Sequence, residues 1–205
     1  MYRIFKMASV SHFNQQIARS KSWKAAATLL LELQKRDLNI VTAESLTAGL
    51  IAARLVDIPT FGKHVYGGFV VYSTDAKREL LGINSENVYT PETASQMAVN
   101  ALQNSSAMVA VSVTGNAGPV PEEEHDTLGL VYIGCAIRHL NKVFVRTDRV
   151  RLCSETFICQ SYYDEPNNLE VIAEVRSLIR ELTVSAACKM VITTLREFDQ
   201  LKSRL

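Results

Sequence analysis

Three short segments carry the residues best suited to chemistry. The first is Glu44-Ser45-Leu46-Thr47-Ala48-Gly49, lying between an apolar run and a helical one. N–H groups at a helix start lack intrahelical partners and can hold a phosphate or an oxyanion. A serine at that junction is therefore a cap, a phosphate ligand or a nucleophile. The second is Tyr72-Ser73-Thr74-Asp75-Ala76-Lys77, where a strand ends and a helix begins. Lys77 falls in the first turn, where the helix dipole opposes a cation, as burial would. Both effects favour the neutral amine that a general base must be; a solvated surface lysine is the plainer alternative. The third is Thr114-Gly115-Asn116-Ala117-Gly118-Pro119. Its glycines suit a close backbone approach to a ligand or an anion-binding nest, and equally a plain turn. The acidic run Glu122-Glu123-Glu124, with His125 and Asp126, reads as a solvated loop.

Alternating strands and helices must position these segments. Apolar residues recur at helical spacing from Ser11 to Lys35, among them Phe13, Ile17, Trp23, Leu29 and Leu33. Leu38 to Val41 reads as a short strand, and Thr47 to Leu55 as a second helix. Val65 to Tyr72 is a strand interrupted by Gly67 and Gly68, a mark of a bulge or a close backbone approach. A helix follows over Thr74 to Leu81, ended by Gly82. Pro91 to Leu102 is helical, with Thr90 as N-cap. Ala107 to Val113 is a buried strand, and Gly129–Ile137 with Lys142–Thr147 form a hairpin. A long amphipathic helix covers Leu169 to Leu201. The pattern predicts an α/β fold: a mixed parallel and antiparallel sheet flanked by helices on both faces. The three chemical segments then follow three strands, where open α/β sheets place ligands. Residues 1–24 are expected to be an N-terminal tail and the start of the first helix, and 25–205 one domain with an extended C-terminal helix.

Bulk properties exclude several function classes. The 205 residues can bury one substantial core. Lys plus Arg total 22 against 21 Asp plus Glu, so no charge excess points to nucleic acid. No apolar run reaches the roughly 18 residues that a membrane-spanning helix needs, and no membrane partner is expected. The four cysteines, Cys135, Cys153, Cys159 and Cys188, form no CxxC pair and do not cluster with histidines. No metal is therefore expected, and the cysteines read as small buried hydrophobes of a reduced, cytoplasmic protein. From Met1 to Leu31 there is no Asp or Glu, while Arg3, Lys6, Arg19, Lys21 and Lys24 are basic. That composition suits either a mitochondrial presequence or a helix with a basic outer face.

The order of motifs resembles the CinA C-terminal domain family, whose bacterial members include nicotinamide mononucleotide deamidases. The family's AESCTGG stands here as Ala43-Glu44-Ser45-Leu46-Thr47-Ala48-Gly49. Its GGxVxYSNxAKxxLLGV stands as the run from Gly67 to Ile83, and its VTGIAGP as Val113 to Pro119. The resemblance implies a Ser–Lys amidohydrolase, with Ser45 as nucleophile and Lys77 as its base. Tyr72 and Thr47 would orient the pair or the substrate. Glu44, Ala48, Gly49, Gly67, Gly68, Thr114, Gly115 and Gly118 would line the place of a small nucleotide, and neither metal nor cofactor would be required. The family's Phe-x-Gly-Asp-Arg element has its nearest match in Val145-Arg146-Thr147-Asp148-Arg149, so Arg149 is either a phosphate contact or an ordinary surface arginine. Ala48 replaces a family glycine, and acids replace the basic loop after Pro119. Two other functions fit the same fold. One is a binding module that holds the nucleotide without hydrolysing it. The other is a homo-oligomeric scaffold joined through the C-terminal helix.

Overall fold

The computed structural model describes residues 2–60, 62–152, 162–165 and 167–203. Five strands form one sheet: β1 (Ile40–Glu44), β2 (Val65–Val70), β3 (Val109–Gly115), β4 (Leu130–His139) and β5 (Lys142–Arg151), in the order β2-β1-β3-β4-β5. β2, β1 and β3 are parallel, whereas β4 and β5 are antiparallel to their neighbours. The mixed sheet is the one the alternating pattern predicts.

Helices cover both faces. α1 (Tyr2–Lys35), α2 (Leu50–Val56) and α5 (Leu169–Lys202) pack on one face. α3 (Thr74–Leu81) and α4 (Pro91–Gln103) pack on the other. Strand alternation divides the core: Val109, Val111 and Val113 of β3 face α1 and α5, while Ala110 faces α4. Leu29, Leu30 and Leu33 of α1 are fully buried, each worth about 1.5–3 kcal/mol in transfer from water. α1 and α5 run parallel, as the pairs Gln15–Glu174, Ser22–Glu181 and Arg36–Asp199 show. The apolar stripe of α5, including Val175, Leu178 and Ile179, is buried inside this chain against that partner and the sheet.

Local signals set several boundaries. Thr90 caps α4 by accepting from Thr93 N, Ser73 caps α3 by accepting from Ala76 N, and Gly82 ends α3 at φ 63°. Other boundaries move. The first strand spans 40–44 rather than 38–41, and α2 begins at Leu50 rather than Thr47, because residues 45–49 form a turn. The hairpin strands reach His139 and Arg151. Gly67 sits at a break in register, where Ile40 pairs Val65 but Val41 pairs Gly67. That is the bulge its position suggested. Cys153 and Cys159 lie outside the described residues. No helix among the described residues is long and apolar enough to cross a membrane.

Candidate active site

The centre is built where β1 and β2 end side by side. Ser45 follows β1 directly, and its N–H donates to Val113 O of β3 at 3.1 Å. Val71 N donates to Glu44 O, so the chain leaving β2 stays beside β1 for one more residue. Lys77 then returns from the first turn of α3. Its Nζ lies 2.9 Å from Ser45 Oγ, 2.9 Å from Val71 O and 2.9 Å from Tyr72 O. Ser45 and Lys77 are both buried. Burial lowers the lysine's pKa from 10.5 to about 8, since no carboxylate offsets the desolvation of the charge.

This geometry favours a defined proton arrangement. A neutral amine has two N–H donors and one lone pair. Two carbonyls accept the donors, which leaves the lone pair for the Ser45 hydroxyl hydrogen.

Glu44 holds the turn rather than a ligand. Its buried carboxylate accepts from Ile51 N and Ala52 N at 2.9 Å, and from Thr42 Oγ1 at 2.9 Å. It thus caps α2 from the preceding strand. Ala48 and Gly49 carry the turn itself, at φ 49° and 89°. The left-handed conformation of Ala48 explains why glycine suits that position. Ala48 N donates to Ser45 O and Leu50 N to Thr47 O. The N–H groups of Leu46 and Thr47 donate to no backbone carbonyl among the described residues. Thr47 Oγ1 is buried and has no partner among the described residues.

Several residues expected to contact a ligand make packing contacts of their own. Tyr72 contributes its carbonyl to Lys77, while its phenol is exposed and takes a hydrogen bond from Arg176 at 3.3 Å. Gly68 is needed because a Cβ there would lie 2.2 Å from Thr42 Oγ1. Gly67 serves the bulge. Thr114 Oγ1 donates to Val88 O at 2.8 Å. A Cβ on Gly115 would meet Leu130 O at 2.4 Å, and Gly118 packs against Leu128 and Tyr162. The third segment is therefore folded onto the start of β4. Arg149 is exposed on β5, in register with Tyr132 and through it with Thr114. Three strand spacings, about 14 Å, separate β5 from β1.

Two arginines absent from the expected set border the Ser45 turn. Arg180 of α5 donates to Thr47 O at 2.8 Å, and Arg176, one turn earlier, reaches Tyr72. Neither forms an ion pair among the described residues. Their spacing of four on a helix was visible in the sequence, but nothing local told which strand ends α5 would cross. Beside them Glu181 accepts from Arg54 at 2.6 Å and from Ser22 at 2.5 Å, tying α2 and α1 to α5. The thiols of Cys135 and Cys188 are buried and pushed up to about 12 by desolvation. Among the described residues no three His, Cys, Asp or Glu are grouped to hold a metal.

Comparison with known proteins places this arrangement. The CinA C-terminal domain model matches residues 23–156. The chain belongs to the CinA C-terminal domain family. A CinA-like protein of Chloroherpeton thalassium is 43% identical over 109 residues, which is 51% of this chain and 26% of that protein. A CinA-like protein of Chlorobium phaeobacteroides is 41% identical over 131 residues, 62% of this chain and 30% of that one. The chain thus matches under a third of the length of these curated relatives. Among solved structures, competence/damage inducible protein CihA from Agrobacterium tumefaciens superposes with a TM-score of 0.67 at 32% identity, covering 86% of this chain and 96% of that one. A competence or damage-inducible protein from Enterobacter asburiae shares the fold, with a TM-score of 0.64 at 22% identity. Ser45, Lys77 and the Thr114 segment all fall inside the matched CinA region. Arg176 and Arg180 fall beyond it.

Proposed function

We propose that this CinA domain is an amidohydrolase of the nicotinamide mononucleotide deamidase kind. The observation that carries the reading is the buried Lys77 amine, 2.9 Å from Ser45 Oγ with both its donors taken by carbonyls. Ser45 Oγ attacks the carboxamide carbon, and its proton passes to the Lys77 lone pair. The free N–H groups of Leu46 and Thr47 receive the developing oxyanion. The C–N bond breaks, Lys77 returns the proton to the leaving nitrogen, and ammonia departs. Water then adds to the acyl carbon, giving up a proton to Lys77; the C–Oγ bond breaks, Lys77 returns that proton to Ser45 Oγ, and nicotinate mononucleotide leaves. No step needs a metal or a cofactor. Arg176 and Arg180 supply the positive charge that a nucleotide phosphate needs at the mouth, the part expected of Arg149.

The test is ammonia release from nicotinamide mononucleotide by the parent, Ser45→Ala and Lys77→Ala. Activity in the parent that both substitutions reduce by at least about a thousandfold supports the assignment. Nucleotide binding without turnover in the folded parent would replace it with the binding-module function.

A further inference from the structure

The first 31 residues hold no acid, and the structure shows what that does to α1. At 100° per residue, Phe13, Ile17, Lys24 and Leu31 fall within about 40° of one line along the helix. Lys21 and Trp23 flank that line on either side. The opposite face, with Ala18, Leu29 and Leu33, is buried in the core. The outward line is open to solvent: Phe13 is 60% exposed, Leu31 47%, Trp23 45% and Ile17 36%. Lys21 and Lys24 are exposed as well. The first carboxylate on α1, Glu32, is largely buried and is paired with Lys35 and Arg36.

We propose that this outward face of α1 docks on an anionic lipid surface, lying flat with its aromatic and aliphatic side chains at the headgroup boundary. The inference is independent of the amidohydrolase reading. Aromatic and aliphatic residues interleaved with lysines, and no acid among them, are what an interfacial helix presents. The lysines extend along the apolar line and place their charges beside lipid phosphates. The surface is a convex ridge of about 27 Å from Phe13 to Leu31, which a plane can contact along its whole length. A second copy of the chain is disfavoured, because a two-fold contact would bring the same lysines together in a desolvated interface. The absence of a spanning helix does not bear on a helix that lies on the membrane.

Trp23 is the single tryptophan, so emission from the full chain reports on this face directly. The experiment titrates the protein with phosphatidylcholine vesicles, with and without about one third phosphatidylserine, reading emission and co-sedimentation. The expected result is a blue shift and co-sedimentation with the anionic vesicles only. Binding should weaken at least tenfold near 0.5 M salt, and about tenfold or more in K21E/K24E. Those exposed substitutions should leave the fold and any ammonia release unchanged. No shift with anionic vesicles, or equal binding to neutral ones, would overturn the proposal. A lipid-free blue shift that grows with protein concentration would assign the face to a second copy. Capture of polyglutamate without lipid binding would assign it to an acidic protein.

Discussion

At Lys77 the chemistry depends on which form of one amine is present. Its pKa is held near 8 by burial, against 10.5 in the unfolded chain. The folded state therefore binds this proton less tightly, and the lysine's contribution to stability improves as pH rises from about 8 to 10.5. Lys77→Met should remove that part of the pH dependence of a urea midpoint. At the neighbouring turn, Ala48 stands at φ 49°, where a Cβ costs roughly 1 kcal/mol. Ala48→Gly should raise unfolding stability by up to about 1 kcal/mol at unchanged denaturant slope. A loss instead would mean that the methyl group makes contacts worth more than the backbone strain. That Ser45 and Lys77 meet was legible through the family motifs each sits in, since position alone fitted a helix cap and a solvated lysine equally well. The roles of Glu44, Gly68 and Thr114 were not. A motif shows that a residue type is required, and only its neighbours show whether a ligand or another element requires it.

Elements bring these residues together through a few close approaches. α4 rests on Gly134 of β4, where a Cβ would stand 2.3 Å from Ala94 O and 2.6 Å from Ser112 Oγ. Gly134→Ala should push helix and strand apart and cost about 2–4 kcal/mol in chemical denaturation. A neutral result would show that α4 shifts freely. Arg54 and Glu181 link α2 to α5 at 2.6 Å with both side chains largely buried. Arg54→Met leaves Glu181 buried without its cation and should cost about 3–5 kcal/mol. Adding Glu181→Gln should recover part of it, a coupling that a double-mutant cycle reads. The helices and strands themselves were largely visible, since periodicity, Thr90 and Gly82 mark them locally. Gly134, Arg54 and Glu181 were not, because their importance arises from partners 22 to 159 positions away in the chain.

At the scale of the molecule, two parallel 34-residue helices, α1 and α5, cover one face of a sheet whose parallel strands carry the centre. The mixed sheet was legible because the last two strands are close in sequence and the first three are separated by helices. The parallel course of α1 and α5, and the placing of Arg176 and Arg180 over the Ser45 turn, were not. They depend on where a chain leaving β5 re-enters the fold, which no local pattern encodes. This arrangement predicts that Arg176→Ala and Arg180→Ala raise KM for a phosphorylated substrate by about tenfold or more each, while the nucleoside amide without phosphate is affected far less. The proposed catalysis turns on a neutral lysine activating Ser45, and the most direct measurement is the pH dependence of ammonia release from nicotinamide mononucleotide. A neutral Lys77 predicts that kcat/KM rises about tenfold per pH unit and levels off above about 8, with Ser45→Ala and Lys77→Ala inactive throughout. A parental rate in Ser45→Ala, or an unchanged profile in Lys77→Ala, would contradict it.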